Sequence, residues 1–186
     1  MVHMNKPTTP NGEAEHTLQR WRAREGELAA RAAPVGVARL DQIAGKTGLQ
    51  LFEAMLAGEL PRAPITTTLQ FWLVEATVGH AEFQGTPAFE HYNPLGGVHG
   101  GWMATLLDSC VGCAVHTLLP PGKAYTTLEL KVNFVKGLSD RVPLVRAIGD
   151  VIHSGSRVAT AEGRLVGPDG TLYAHATTTC LTFDAR

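Results

Sequence analysis

The chain has 186 residues, of which 44% are hydrophobic and 18% charged, and its formal net charge is -1. Such a length and composition fit one globular domain with a substantial core and exclude a disordered chain. A near-neutral balance gives no electrostatic basis for binding nucleic acid or an acidic membrane surface. No apolar run is as long as a membrane span, and the polar start lacks the apolar segment of a secretion signal. We therefore predict a cytoplasmic protein with neither nucleic-acid nor membrane partners.

Three cysteines are present, Cys110, Cys113 and Cys180. An odd number argues against a closed set of disulfides and favours a reducing compartment. The first two form a CxxC spacing, which can bind zinc or take part in redox chemistry. Here the pair lies in an apolar run and no second pair of ligands follows, so buried small residues are the better interpretation. No cluster of His, Asp or Glu has metal-ligand spacing, and no metal is predicted.

The first sixty residues indicate a helical extension. Residues 1–12 are predicted to be a disordered leader. The segment 13–33 is rich in Ala, Glu, Arg and Leu and predicts a helix that ends before Pro34. Residues 47–60 carry an apolar stripe at helical spacing, which needs a surface to cover, and Pro61 follows.

The pattern then changes to strands. Residues 67–77 and 78–86 predict two strands joined by a turn near Gly79, followed by a loop rich in Pro, Gly and Asn. A long apolar segment, 98–119, predicts a buried helix. Further strands are predicted at 124–135, 142–152, 157–166 and 171–183, the last two joined by a hairpin turn. Short links between strands imply antiparallel pairing, so 61–186 is predicted to be one α+β domain after an extension at 13–60.

One acid stands in the apolar helix. Asp108 is the only formal charge in the segment and is too far from its start to be an N-cap. A carboxylate is costly to bury without partners, so it is either satisfied locally, for example by Ser109, or retained for a task. Both interpretations stay open from the helix alone.

Two glycines, Gly100 and Gly101, stand where this helix starts. Unpaired amides there carry the positive end of the helix dipole, and glycine allows close approach by a carbonyl or phosphate oxygen. A simple glycine-rich turn is the plain alternative. Neither a P-loop nor a GxGxxG pattern is present, which excludes the usual nucleotide-binding motifs.

Spacing along the helix sets a further condition. Gly100 and Asp108 are eight residues apart, which is roughly 12 Å of helix at 1.5 Å per residue. The two groups therefore cannot act on one carbonyl within one chain. Two such helices antiparallel across a two-fold axis would pair the amide of one subunit with the acid of the other.

Taken together, the motifs resemble a known family. The run from Asn93, NPLGGVHGG, then Asp108 on the helix and the strand YTTLELKVNF from Tyr125, are similar to the PaaI-type (phenylacetate-pathway) hotdog-fold thioesterases. The stretches GSRVATAE and AHATTT also resemble that family, and the likeness covers about residues 65–183. It implies a hotdog fold, in which an antiparallel sheet wraps one long helix, and a homodimer or homotetramer.

The resemblance also implies catalytic roles. Asn93 would orient the nucleophilic water or the thioester, and the amide of Gly100 would donate to the oxyanion. Asp108 would be the general base or the nucleophile, and these two routes stay open. Thr127 on the following strand would assist the acid, with its neighbour Thr126 as the alternative.

The substrate side of the site is expected to include Gly101, for close approach. Candidate cations for the phosphates of coenzyme A are Lys136 and Arg157, with a solvated charge at a strand end as the alternative for each. His99 either orients the loop at the helix start or, as in hotdog dehydratases, acts on the acyl chain. Coenzyme A belongs to the substrate, so no separate cofactor is expected.

The expected function is hydrolysis of an acyl- or arylacyl-CoA thioester to the free acid and CoA. Two alternatives remain: an enoyl-CoA hydratase or dehydratase on the same fold, which needs a histidine acting with the acid, and a non-catalytic acyl-CoA-binding module. A buried helical acid argues against the binding module, which has no use for it.

Overall fold

The computed structural model of the protein describes residues 10–185. Its helices are α1 (Pro10–Arg31), α2 (Leu40–Ile43), α3 (Gly48–Ala57), α4 (Ile65–Thr68) and α5 (Gly100–His116). Its strands are β1 (Phe71–Thr77), β2 (His80–Gly85), β3 (Lys123–Phe134), β4 (Val145–Ser154), β5 (Val158–Val166) and β6 (Leu172–Asp184), and a 3-10 turn, Phe89–His91, precedes α5. No helix within the described residues is long and apolar enough to cross a membrane.

The six strands form one antiparallel sheet in the order β1-β2-β4-β5-β6-β3. Helix α5 packs against the inner face of the sheet and touches all six strands. This is the hotdog arrangement, and it confirms the fold that the family resemblance implies and with which the predicted order of elements agrees. The core consists of the apolar residues of α5 and the inward side chains of the strands.

Small residues on the inner face let the sheet approach α5 closely. A Cβ atom at Gly149 of β4 would lie 2.5 Å from the carbonyl carbon and oxygen of Cys110, so the strand and helix backbones are nearly in contact. Ala147, Ala159 and Ala161 are fully buried on the same face. Larger side chains at these positions would hold the helix away from the sheet and disturb its packing.

The N-terminal helices cover the edge of the sheet at β1. Arg24 of α1 donates from Nε and Nη2 to the carbonyl of Val74, at 3.0 and 2.9 Å, which satisfies an edge-strand acceptor. Helix α3 packs on β1, buries Phe52 and starts at an N-cap, Thr47, whose side chain accepts from the backbone amide of Gln50. The apolar stripe predicted at 47–60 therefore covers the sheet edge.

Some predicted boundaries are wrong. Residues 67 and 68 lie in the short helix α4 rather than in a strand, and β1 begins only at Phe71. Pro64 favours a helical start, and Gln70, with φ at 51°, turns the chain before the strand. The threonines favoured a strand because β-branched residues are enriched there, but the proline decides the local conformation.

Two other boundaries shift. Helix α1 begins at Pro10 rather than at residue 13, and the leader predicted over 1–12 lies mostly outside the described residues. Strand β4 begins at Val145, because residues 139–142 form a turn closed by the amide of Val142 donating to the carbonyl of Ser139.

Candidate active site

The predicted acid lies on the open side of α5. Asp108 faces a shallow depression that is also lined by Ala104, Thr105, Thr127 and Ile65. Its side chain is half-buried in the single chain rather than enclosed as the apolar sequence around it suggested. The carboxylate is accessible to a substrate or water from this side.

A threonine on β3 holds the carboxylate. Thr127 donates from Oγ1 to Oδ1 of Asp108 at 3.0 Å. A β-bulge between Thr127 and Glu129 places one extra residue in the strand, while the side chain of Thr126 is exposed. The structure thus brings Thr127, rather than Thr126, to the acid.

Ser109 does not satisfy the carboxylate. Its hydroxyl donates to the carbonyl of Thr105 at 2.8 Å, one turn back along the helix. The local explanation for Asp108 therefore fails, and its hydrogen-bond partner comes from the neighbouring strand.

At the start of α5, the backbone amides of Gly100 and Gly101 differ in their hydrogen bonds. His99 is the N-cap, and its Nδ1 accepts from the amide of Gly101 at 2.8 Å. This bond requires the ring proton to be on Nε2 and occupies the Gly101 amide. Among the described residues the Gly100 amide has no acceptor, so it is the donor left for a substrate oxygen. His99 thus orients the helix start, one of the two roles predicted for it.

The loop before α5 is folded around Asn93. Its Oδ1 accepts from the amides of Leu95 and Gly97, at 2.9 and 3.3 Å, and its own amide donates to the carbonyl of Gly97 at 2.8 Å. The side-chain oxygen is therefore used to shape the loop. Its Nδ2 donates to nothing in residues 10–185 and is the group that remains for a substrate or water.

His91 is buried and contacts both the loop before α5 and α5 itself. Its carbonyl accepts from the amide of His99 at 2.7 Å, and its ring stacks on Trp102 with centroids 5.0 Å apart. Burial lowers the pKa of His91, so the neutral ring is favoured in this position. This agrees with a structural rather than catalytic role.

The predicted site residues fall into two groups. Asn93, His99, Gly100 and Gly101 lie at the start of α5, whereas Asp108 and its threonine lie further along it. The offset along the helix is roughly 12 Å. One chain therefore carries both groups of predicted residues, but they lie too far apart along α5 to contact the same carbonyl group.

The two predicted cations are exposed. Lys136 follows β3 with its Nζ 5.9 Å from the ring centroid of Tyr173, and Arg157 lies in the turn between β4 and β5. Neither forms an ion pair with an acid in the described part of the chain.

The cysteines of the CxxC are core residues. Cys110 is fully buried and donates from Sγ to the carbonyl of Leu107 at 3.2 Å. Burial raises its pKa and also raises that of Cys113, to about 12, with the nearby charge of Asp108 adding to the effect. Both thiols are protonated at neutral pH, which argues against a reactive pair. No group of three or more potential metal ligands is found within residues 10–185.

Sequence reasoning missed one feature. A largely enclosed apolar cavity of about 160 Å³ lies between the N-terminal helices and β1. The apolar stripe of α3 was a signal that this helix covers something, but the void beneath it depends on how α1, α3 and the sheet edge fit together.

Comparison with known proteins supports this fold. A model of the thioesterase superfamily matches residues 95–174. The structure of a Ralstonia eutropha protein, named as a phenylacetic acid degradation-related protein, is 30% identical over 70% of this chain and 98% of its own, with a TM-score of 0.64. A conserved protein from Pseudomonas aeruginosa is 25% identical over 66% of this chain and 95% of its own, with a TM-score of 0.61. No curated protein matches the sequence.

A long helix packed against one antiparallel six-stranded sheet defines a hotdog-fold protein. With the identity and coverage found for the Ralstonia eutropha structure, the chain belongs to the thioesterase superfamily. A Haemophilus influenzae thioesterase that is 17% identical, over 76% of this chain and 95% of its own with a TM-score of 0.62, shares the fold.

Proposed function

We propose that this protein hydrolyses the thioester of an acyl- or arylacyl-CoA in the manner of the PaaI-type enzymes. The observation that carries the proposal is the carboxylate of Asp108, fixed by Thr127 at an open depression on the helix of a thioesterase-superfamily fold. A positioned carboxylate beside open space is what proton abstraction from water, or direct attack on a carbonyl, requires.

The amide of Gly100 completes the chemistry. As negative charge develops on the thioester oxygen, a donor at a helix start stabilises it, both through the hydrogen bond and through the helix dipole. Addition of a water oxygen to the carbonyl carbon, followed by cleavage of the C–S bond, gives the free acid and the CoA thiol. Attack by Asp108 itself passes through an anhydride that water then cleaves, with the same products.

Both halves of the site come together only between two chains. In the proposed homodimer, which pairs into a homotetramer if dimers associate further, the Gly100 of one chain faces the Asp108 of its partner. Lys136 and Arg157 are exposed, form no ion pair within residues 10–185, and would meet the phosphates of CoA. Three free cysteines agree with a cytoplasmic location.

A hydratase is less well supported. It needs a histidine free to act on the acyl chain, whereas Nδ1 of His99 already accepts from Gly101. Loss of the absorbance of a conjugated enoyl-CoA without thiol release would identify that activity. Binding of acyl-CoA with no reaction would identify a binding module.

The test is a thiol-release screen over short, long and aromatic acyl-CoAs. We expect turnover with at least one class, and a fall of ~10²-fold or more in Asp108→Asn, because the amide can neither accept a proton nor attack. Asp41→Asn, at an exposed position on α2, is the matched control and keeps the rate. A near-normal rate in folded Asp108→Asn would remove the assigned role.

A further inference from the structure

The cavity under α3 is built from several elements. Leu28 comes from α1, Phe52 and Met55 come from α3, and Trp72 and Phe83 come from β1 and β2. Its lining is almost entirely apolar. The space lies where the N-terminal helices meet the sheet edge, so it exists only because this chain carries the extension.

The cavity reaches the surface on one side. Among its lining residues, Phe52 and Phe83 are buried, whereas Leu56 and Trp72 are half-buried and Ala63 is exposed. The buried residues form the inner end of the space, and the exposed side gives a small molecule a way in from solvent.

The polar side chains of the lining are engaged by the protein itself. The guanidinium of Arg62 stacks on the Trp72 ring, 3.8 Å from its centroid, and the Arg62 Nε is buried in the protein. The hydroxyl of Thr66 donates to the carbonyl of Ala63 at 2.7 Å. A charged group in this space would lose its hydration without a compensating bond, so the lining favours a neutral, apolar occupant.

The size of the space limits the occupant further. The volume is about 160 Å³, and an apolar cavity of about 150 Å³ in another protein stays dry and binds benzene. A molecule of about six carbons therefore fits, and a long fatty chain does not.

An empty space of this size is unfavourable. Protein interiors leave few voids larger than a water molecule, and an unfilled apolar cavity lowers stability in proportion to its volume. Water is a poor occupant of an apolar space. An apolar molecule would restore the contacts that the facing walls lack, so its binding is expected to stabilise the fold.

The cavity is separate from the depression at Asp108. Helix α4 stands between the two spaces: its Ile65 lines the depression, and the next residue, Thr66, lines the cavity. A ligand of the cavity is therefore independent of thioester hydrolysis.

We infer that the cavity is a binding site for one small neutral apolar molecule of about six carbons, held by contacts with the N-terminal helices and the first two strands. This goes beyond the proposed function and does not depend on it. Because the walls come from both the extension and the sheet, an occupied cavity stabilises the docking of one on the other.

The experiment measures the melting temperature of the full chain with benzene, cyclohexane, naphthalene and benzoate. We expect benzene and cyclohexane to raise it in a saturable way, by about 3 to 6 °C at about ten times the Kd. Naphthalene is too large, and benzoate carries a charge that the lining does not compensate. Neither is expected to raise the melting temperature of the wild type.

A filled cavity is the first test variant. Ala32 lines the space just after α1, and Ala32→Leu adds three carbon atoms to it. We expect the shift with benzene to be lost. Ala29→Leu is the matched control, because Ala29 is an exposed residue of α1 outside the lining, and it keeps the wild-type shift.

An enlarged cavity is the second. Leu28→Ala removes a buried wall residue, so we expect a lower melting temperature and a new stabilising shift with naphthalene. If Leu28→Ala does not fold, Ala32→Leu and its control still decide the matter. The inference is overturned if benzene and cyclohexane leave the wild type unchanged, if Ala32→Leu keeps the benzene shift, or if benzoate stabilises the wild type as much as benzene does.

Discussion

A single hydroxyl fixes the acid of this site. Thr127 donates to Asp108 at 3.0 Å, whereas the side chain of Thr126 points to solvent. We predict that Thr127→Val lowers kcat about 10-fold, because a hydrogen bond to a charged group is lost while side-chain shape is kept. Thr126→Val is the control on the same strand. Equal rates in the two variants, measured by thiol release, would contradict the positioning role.

His116 gives a pH-dependent stability. Its ring lies between Phe52 and Tyr125, with centroids 5.4 Å from each, and burial lowers its pKa below the usual 6.5. Above pH 6.5 the ring is neutral in both states. As pH falls through 6.5 towards the lower folded pKa, the unfolded chain takes up more protons and stability is lost.

We therefore predict that His116→Phe, which keeps an aromatic ring, shows a smaller fall in melting temperature between pH 7.5 and 5.5 than the wild type. Lys46→Met, which leaves this aromatic contact untouched, is the control. An identical pH profile for wild type and His116→Phe would show that His116 does not carry the effect.

At the scale of elements, periodicity predicted α5 and the later strands well, because a buried helix and alternating strands leave strong patterns. Helix α4 was missed, since its β-branched residues favour a strand and Pro64 decides otherwise. The sequence motif predicted Asp108 and Gly100 as site residues. Only the structure shows that the bulge in β3 accompanies the Thr127 contact to Asp108, and that His99 accepts from the Gly101 amide and leaves the Gly100 amide without an acceptor in the described residues. Contacts of that kind depend on packing that no local pattern encodes.

The N-terminal extension covers the β1 edge of the sheet and forms one wall of the apolar cavity. Deleting residues 1–60 removes the Arg24 bond to Val74 and the α3 wall of the cavity. We predict a lower melting temperature and a changed ranking of acyl-CoA substrates, while Asp108-dependent thiol release persists.

Deleting only residues 1–9 is the control, and it keeps the original ranking. If the 1–60 deletion folds and retains both ranking and rates, the extension does not shape the acyl pocket.

At the scale of the whole molecule, the two edges of the sheet differ. The β1 edge is covered by α1 and α3, whereas the 12-residue strand β3 forms the other edge and pairs on that side with nothing in the described chain. Leu128, Phe134 and Val135, on or next to β3, are 59%, 54% and 56% exposed. A long edge with apolar side chains favours pairing with another chain.

Under the proposed function, the separation of Gly100 and Asp108 along α5 also calls for a second chain. A site that takes Gly100 from one chain and Asp108 from its partner is complete only in a dimer. Asp108→Asn and Asn93→Ala homodimers are each expected to lose activity, the first through the acid and the second through the loop that Asn93 Oδ1 folds. In a mixed dimer, one of the two sites carries both substitutions and the other carries neither.

We therefore predict that the two inactive variants, mixed under conditions of subunit exchange, recover part of the wild-type rate. Statistical exchange places half of the chains in mixed dimers, each with one intact site, so the recovery approaches a quarter of the wild-type activity. Mixing Asp108→Asn with Thr127→Val is the control, because both lesions lie in the same half-site and no mixed dimer gains an intact site. The thiol-release rate before and after exchange measures the effect, with light scattering to establish the dimer. A fully active monomer, or exchange without recovery, would place both halves of the chemistry in one chain.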